Sequence, residues 1–293
     1  MRKMILKMAS IGVLLAAGWV DAKPLNVEWL LRGGLSWKGQ LYGRDGDFVQ
    51  LKRPEDSKAV GVGANTIKKL IFDVKLDLDK VTKMVRTREY DQARYKLEKA
   101  LKPFAPYSDI PSNLTPYNTL LMEVYFRTQQ YDKTLEIASG FAKKSKDPVL
   151  KEKSRVYQAL SLINSDKLDE AQQLFAKYGW DKEVASNKAS SEKLYISAKL
   201  LALKHEYSEA MMSVAKVIAF HSQDVDWMPP AELLCAEIYT DMELYDSAAE
   251  VCRQIELLYK NSEEFDQAVK LKIKIEALRA EKKLKESSES TEV

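Results

Sequence analysis

A chain of 293 residues, of which 45% are apolar, has enough hydrophobic side chains to bury a sizeable core, so its composition excludes an intrinsically disordered protein. The formal net charge is only +3 although 30% of the residues are charged. Such a balanced surface argues against a partner as highly charged as a nucleic acid. Two cysteines are too few for a disulfide framework.

The first 22 residues have the features of an export signal. They begin with basic side chains, continue with the apolar run 9–20 and end with the small residue Ala22. Export machinery reads this order of features, and the run is too short to span a bilayer comfortably. We therefore expect residues 1–22 to be a signal peptide that is cleaved after Ala22, with an uncleaved membrane anchor as the alternative. The mature protein is then expected in the periplasm or secreted, without stable membrane insertion.

Residues 23–74 alternate apolar and polar side chains with the two-residue period of β-strands. Turn signals, among them Gly33-Gly34 and Asp45-Gly46-Asp47, separate the alternating stretches. We expect about five strands, at 27–31, 35–43, 47–53, 58–63 and 67–74. Short antiparallel strands in so small a segment are expected to close into a small barrel, because closure removes exposed edges.

This β segment resembles the first motif of Sm-like barrels. The positions that match the spacing of that motif are Gly34, Gly39, Leu41 and Asp45. RNA-binding Sm-like proteins have an asparagine four residues after the aspartate, where this chain has Val49, while Phe48 keeps the preceding apolar position and is expected in the core. The resemblance therefore implies a small SH3-like or Sm-like barrel that serves as a docking or spacer module and does not bind RNA.

From residue 75 to residue 286 the apolar side chains recur with the 3.6-residue period of amphipathic helices. Five stretches about 40 residues apart align with one another, which indicates stacked helical hairpins. Each contains an aromatic residue or leucine, namely Tyr90, Tyr131, Leu168, Tyr207 and Tyr245. Three residues later each has a small side chain, namely Ala93, Thr134, Ala171, Ala210 and Ala248.

The helices that precede these stretches keep the same register. Nine residues before the aromatic position the last three units have an alanine: Ala159, Ala198 and Ala236. Six residues before it every unit has a large apolar side chain: Met84, Tyr125, Leu162, Leu201 and Tyr239. A small residue lets two helix backbones approach, and a large one fills the neighbouring hole. The pattern therefore predicts two packed helices in every unit.

This pattern resembles the tetratricopeptide repeat (TPR) over residues 76–260. The resemblance implies a mainly α fold, in which a TPR-like α-solenoid of about five helical hairpins (75–286) follows the small all-β barrel. Residues 262–285 are expected to form a polar-faced terminal capping helix, and residues 287–293 a disordered tail. The first two units depart from the pattern, because Thr134 replaces an alanine, and Val81 and Met122 replace the small residue of the first helix.

The resemblance also implies that the first helix of each hairpin lines a concave face on which peptides bind. Carrying the register over predicts nine residues for this face: Arg86, Glu123, Phe126, Arg127, Asn164, Tyr195, Lys199, Glu237 and Asp241. Their charges are mixed in sign. Only Arg127 and Asn164 resemble the Lys, Arg and Asn cluster with which some members grip a terminal carboxylate. A solvated groove without a ligand is the alternative.

The sequence contains no motif that predicts catalysis, a cofactor or a metal site. Gly61-Val62-Gly63 lacks the rest of a dinucleotide-binding loop and is interpreted as a strand turn. The two histidines, His205 and His221, are interpreted as surface residues. Cys235 and Cys252 are predicted to lie on the two helices of one hairpin, where they are either buried free thiols or, in an exported protein, a disulfide.

Together these features predict an exported, bacterial-type, non-enzymatic scaffold or adaptor that binds a protein or peptide in the cell envelope and no nucleic acid. One alternative is an envelope enzyme or sugar-binding protein with a site between barrel and solenoid. That site would use Trp29, Trp37, Asp45 and Asp47. A second alternative is a structural component that forms an oligomer through the barrel.

Overall fold

The computed structural model describes residues 24–289, and their side chains as far as Leu284. The predicted signal peptide, residues 1–22, and residues 290–293 lie outside this described part. The chain divides into two compact units, one that ends at Val124 and one that begins at Tyr125. The first unit thus contains the β-strands and also the first helices.

Five antiparallel strands form one sheet in the first unit, in the order β4-β3-β2-β1-β5. The strands are β1 (Leu25–Leu31), β2 (Ser36–Asp45), β3 (Phe48–Lys52), β4 (Val60–Gly63) and β5 (Ile67–Phe72). The short 3-10 turn Ala64–Thr66 connects the two edge strands, β4 and β5, which do not pair with each other. The sheet is therefore barrel-like but open, and the prediction of a closed barrel is wrong.

The outer edge of β5 is covered by a later segment of the same chain. The amide of Leu70 donates a hydrogen bond to the carbonyl of Pro111 (2.8 Å), and the amide of Asn113 donates to the carbonyl of Leu70 (3.3 Å). The Asn113 side chain bonds both the amide and the carbonyl of Phe72, each at 2.9 Å. These bonds satisfy backbone groups that pairing with β4 would otherwise satisfy.

Backbone geometry explains one glycine of the Sm-like motif and corrects one expected core residue. A Cβ added to Gly39 would lie 2.1 Å from the carbonyl oxygen of Lys52 in β3. Only glycine therefore allows β2 and β3 to approach each other this closely. Val49 is fully buried, whereas Phe48 is 55% exposed. The prediction that Phe48 lies in the core is therefore wrong. Side chains alternate between the two faces of a strand, and Val49 occupies the position that faces the core.

The sheet packs against the segment that follows the second helix. The ring of Phe72 lies 4.6 Å from that of Phe104, measured between centroids. The guanidinium of Arg44 forms a two-pronged ion pair with Asp109 and also donates to the carbonyl of Pro106 at 2.8 Å. Apolar and charged contacts thus hold the strands and residues 102–109 together within the first unit.

Twelve helices follow in the described chain. They are α1 (Leu78–Arg86), α2 (Tyr90–Leu101), α3 (Thr115–Arg127), α4 (Tyr131–Lys144), α5 (Pro148–Ile163), α6 (Leu168–Lys177), α7 (Trp180–Ala185), α8 (Ser191–Leu203), α9 (Tyr207–Phe220), α10 (Met228–Asp241), α11 (Tyr245–Leu258) and α12 (Glu263–Glu289). The second helix of each predicted hairpin begins at the aromatic or leucine position of the repeat, which confirms the register. Helix α12 includes residues 287–289, which the sequence assigned to the tail.

The five turns between paired helices share one backbone conformation. Each contains a non-glycine residue with φ between 58° and 64°, two positions before the second helix: Arg88, Gln129, Asp166, His205 and Glu243. In the second hairpin the amide of Gln129 bonds the carbonyl of Phe126 (3.0 Å), and the amide of Gln130 bonds that of Tyr125 (2.8 Å). This pair of bonds is the Schellman motif, which satisfies the last carbonyls of a helix.

The small packing position predicted for the second helix is buried in every hairpin. In each hairpin the residue three positions after the first residue of the second helix is fully buried: Ala93, Thr134, Ala171, Ala210 and Ala248. Thr134 fits in place of alanine because its hydroxyl donates to the carbonyl of Gln130 at 3.2 Å, so no polar atom is left unsatisfied. Val81 and Met122 are buried although they are larger than the expected residue.

Replacing Gln129 by glycine is expected to stabilise the protein by about 0.5–1 kcal/mol, because its side chain is exposed and its φ of 58° is unfavourable for any residue with a Cβ. The measurement is the melting temperature, which should rise by roughly 2 °C. The control is Gln130→Gly, one residue later, where φ is −87° and glycine should destabilise. A lower melting temperature for Gln129→Gly would contradict the assigned turn.

Candidate functional site

Seven of the nine residues predicted for the inner face belong to the second unit. Phe126 and Arg127 end α3, Asn164 caps α5, Tyr195 and Lys199 lie on α8, and Glu237 and Asp241 lie on α10. The other two, Arg86 and Glu123, belong to the first unit. The first helix of each hairpin in the second unit therefore contributes to the predicted surface, and the side-chain contacts show which residues meet.

Among the predicted residues, Lys199 lies at the centre of a group of side chains that contact one another. Its ammonium donates to Oδ1 of Asn164 at 3.1 Å and lies 6.0 Å from the ring centroid of Tyr195. The hydroxyl group of Tyr195 and then the carboxylate of Glu237 stabilise the ammonium, which raises the pKa of Lys199 despite partial burial. Lys199 is therefore a permanent cation at neutral pH.

The contact with Lys199 fixes the orientation of the Asn164 amide. An ammonium group only donates hydrogen bonds, so Asn164 must turn its oxygen toward Lys199 and its NH2 group away. Within the described residues this NH2 group has no hydrogen-bond acceptor. Asn164 thus offers a free donor next to a fixed positive charge.

Aromatic rings from three hairpins flank this centre. The ring of Tyr195 lies 5.5 Å from that of Trp227, and the ring of Phe126 lies 5.7 Å from Tyr131 and 5.2 Å from Tyr157. All five side chains are half-buried, so part of each ring faces solvent. Tyr131 also contributes to the raised pKa of Lys199, which places the Phe126 group close to the same cation. We call the surface formed by these rings, Asn164, Lys199 and Glu237 the Lys199 recess.

Two carboxylates on α10 face the recess without a partner. Partial desolvation raises the pKa of the Glu237 carboxyl, and Asp241, one turn further along, raises it as well, while Lys199 and Lys274 oppose the shift. In the described part of the chain neither Glu237 nor Asp241 forms a hydrogen bond or an ion pair. The recess therefore offers two exposed carboxylates without a hydrogen-bond partner in the described chain, in addition to the amide donor of Asn164.

Arg127 is engaged by the terminal helix. Its guanidinium lies 2.7 Å from a carboxylate oxygen of Glu263, in the first turn of α12. Asn164 is held by Lys199 instead. The two residues predicted to grip a terminal carboxylate thus have separate intramolecular partners, and the cation next to Asn164 is Lys199.

Both cysteines are buried free thiols in the structure. Cys235 packs in the core cluster of Ala198 and Val214, whereas Cys252 packs in a separate cluster with Ala248. Burial raises the pKa of each thiol to about 11, so both are protonated at neutral pH. Their side chains contribute to the packing between helices.

The residues of the alternative enzyme site do not form one cluster. Trp29 is only 3% exposed and packs at the end of the sheet against Trp37, with 6.3 Å between ring centroids. Asp45 is at the far end of β2, eight residues from Trp37, which corresponds to roughly 26 Å along a strand. Asp47 follows in the exposed β2–β3 turn. The tryptophans and aspartates therefore lie at opposite ends of the sheet.

Trp227, Tyr131 and Glu263 are neighbours of the recess that the sequence did not predict. Trp227 precedes α10 and Glu263 begins α12, so both lie outside the repeated positions on which the register depends. Tyr131 is itself a repeat position, but the pattern assigned it to packing.

The described residues contain no group of three or more His, Cys, Asp or Glu side chains arranged to hold a metal ion. None of the helices in residues 24–289 has the length and apolar character needed to cross a membrane.

This chain is similar to several solved structures, all at low sequence identity. No protein-family model and no curated protein matches the chain. A thermophilic TPR protein from Thermus thermophilus is 15% identical, with a TM-score of 0.48 over 66% of this chain and 96% of its own. RapI in its apo form is 14% identical, with a TM-score of 0.46 over 69% and 82%. YrrB, described as a TPR protein with an unusual peptide-binding site, is 13% identical, with a TM-score of 0.34 over 66% and 90%.

The fold assignment itself rests on the five hairpins with one repeated turn and one repeated packing position. The helical part of this chain is a TPR-like α-solenoid. It is preceded by the open five-stranded sheet, and the fold is mainly α as the sequence predicted.

Glu237→Gln is expected to raise the melting temperature at neutral pH. A carboxyl whose pKa is raised in the folded state favours folding while it is protonated, and this contribution is lost as the pH rises through the folded-state pKa. The gain should disappear below about pH 4, where Glu237 is protonated in the folded and the unfolded chain. Thermal unfolding followed by circular dichroism across this range is the measurement.

The matched control is Glu250→Gln on α11. Hydrogen bonds from Arg253 lower the pKa of Glu250 to about 2, so its removal should have the opposite sign at neutral pH. A Glu237→Gln protein that is less stable than the original chain at pH 7 would show that the attraction of Lys199 and Lys274 outweighs the desolvation of the carboxylate.

Proposed function

We propose that this protein is a non-enzymatic scaffold that binds an extended segment of a partner protein in the Lys199 recess. One observation supports this proposal above the others: side chains from the end of α5, from α8 and from α10 offer hydrogen-bond donors and acceptors that have no partner within the described chain. Asn164 offers a donor, and Glu237 and Asp241 offer acceptors. A few polar groups that converge among aromatic side chains are a common property of binding sites.

A peptide main chain is complementary to this arrangement. Each residue of an extended segment presents one carbonyl and one amide, which match the Asn164 NH2 group and the Glu237 carboxylate respectively. The exposed parts of Tyr195, Trp227 and Phe126 offer apolar contact for side chains of the segment. A polyanion such as nucleic acid would instead be repelled by the two carboxylates, Glu237 and Asp241.

The architecture is also suited to a scaffold. In stacked hairpins each unit contacts its neighbours, and equivalent helices line one continuous surface that is available for recognition. Head-to-tail assembly through the sheet, one form of the structural alternative, has little support. A head-to-tail assembly needs two free edges, and the outer edge of β5 is already bonded to residues 111–113.

Selection from a random peptide library against the purified protein tests the recess. Peptides that bind should lose affinity roughly three- to tenfold when Asn164 is replaced by alanine, because one hydrogen bond in a partly desolvated site is lost. Glu237→Gln should weaken binding to a similar extent while it stabilises the free protein. Isothermal titration calorimetry with synthetic forms of the selected peptides gives the affinities.

The control variant is Met212→Ala, a change at a 61% exposed side chain on α9, the second helix of its hairpin. It should leave the affinity unchanged. If the selected peptides bind the Asn164, Glu237 and Met212 variants equally well, the recess is not the peptide site and the proposal fails.

We also propose that the scaffold acts outside the cytoplasm, in the periplasm or as a secreted protein. The support is the basic start, the apolar run and Ala22 within residues 1–22. Amino-terminal sequencing of protein recovered from the expressing cell should then give Lys23 as the first residue. Recovery of intact Met1 in a membrane fraction would contradict cleavage and favour the anchor. This result is independent of the peptide test.

A further inference from the structure

Helix α12 has an apolar stripe on the side opposite to its packed face. Ala268 and Ile275 are fully buried against the solenoid. On the other side Ile273 is 65% exposed and Leu284 is 70% exposed, and two exposed alanines, 277 and 280, lie between them. The terminal helix of a stacked-repeat protein normally turns a polar face to water. Charged side chains such as Lys270, Glu276 and Lys283 are also exposed on this helix, so the apolar stripe lies within an otherwise polar outer face.

The spacing of the stripe is that of a helix–helix seam. Ile273, Ala277, Ala280 and Leu284 follow one another at intervals of four, three and four residues, which is the repeat by which two α-helices stay in contact along their length. Ala277 and Ala280 at the centre allow two helix axes to approach closely, and Ile273 and Leu284 close the two ends. A stripe with this spacing fits another helix better than it fits an irregular surface.

The charges beside the stripe identify which helix fits. Lys274 and Glu281 flank it on one side, and Glu276 and Lys283 flank it on the other. In an antiparallel pair of two α12 helices, residues on the same flank face each other. Lys274 then meets Glu281 of the second copy, Glu276 meets Lys283, and a two-fold axis produces each pair twice.

The opposite orientation is disfavoured by the same charges. In a parallel pair the contacts cross from one flank to the other, five residues further along. Glu276 would then meet Glu281 of the second copy, and two like charges would face each other at both edges of the seam. The sign pattern is therefore self-complementary only for antiparallel helices.

We propose that α12 is a dimerisation helix, which binds the α12 helix of a second copy of this chain in an antiparallel, two-fold arrangement. The inner side of α12 still packs against α11, so dimerisation leaves the solenoid intact. The proposal does not depend on peptide binding in the Lys199 recess, although Lys274 also acts electrostatically on Glu237. Four apolar layers form a short seam, so we expect an association that depends on protein concentration.

Sedimentation velocity of the protein as isolated from the expressing cell tests the proposal. The chain has a mass of 33.4 kDa before any processing, and the sedimenting species should shift from one to two chains as the concentration is raised. Ile273→Lys should abolish the shift. Lys274→Glu and Glu281→Lys should each weaken the dimer about tenfold, because each places like charges opposite each other twice.

The double variant Lys274→Glu/Glu281→Lys should restore the dimer, because the charges are exchanged and remain complementary. Lys144→Glu, which makes the same change of charge at an exposed position at the end of α4, is the control and should have no effect. Circular dichroism checks that each variant is folded, which we expect because every changed side chain is exposed.

Three results would overturn the proposal. One is a chain that stays monomeric at every attainable concentration. The second is a dimer that persists in Ile273→Lys, since it would use another surface. The third is a double variant no better than its single variants. A monomer that instead adsorbs to anionic lipid vesicles through Ile273 would assign the stripe to a membrane surface and would equally exclude the dimer.

Discussion

The close approach of two helix backbones at one small side chain is the constraint on which the helical half depends. Ala171, Ala210 and Ala248 have no exposed surface, and a larger side chain at these points would separate the paired helices. Because this contact recurs with a common turn, each hairpin presents its first helix in the same way. Residues as distant in sequence as Asn164, Lys199 and Glu237 are brought together for that reason.

The helical register could be predicted because it is repeated, whereas the edges of the sheet could not. Tyr207 and Tyr245 begin α9 and α11 as the pattern predicted, since five copies of one spacing identify the helix starts. The sheet stays open because Asn113, some forty residues beyond β5, takes the bonds of Phe72. No local pattern in the strands indicates that a residue so distant in sequence bonds the edge of β5. Which of Phe48 and Val49 faces the core likewise depends on the turn that precedes β3.

The same distinction applies to the candidate site. The register placed Asn164, Tyr195 and Lys199 on one surface because each occupies a repeated position. It could not place Trp227 or Glu263, which belong to connections and to the terminal helix. The protonation behaviour of each charged group also depends on its neighbours in space. Partial desolvation and Asp241 raise the pKa of Glu237, while Lys199 and Lys274 oppose the shift.

The Lys199 recess and the outer face of α12 both depart from what stability alone would favour. The carboxyl of Glu237 has a raised pKa, and Ile273 exposes a large apolar side chain. In a stack of hairpins each unit contacts only its neighbours, so the effect of either feature on stability remains local and the rest of the fold tolerates it. Both features would be retained in a chain that has the two proposed binding functions, since each would be covered when its own partner is bound.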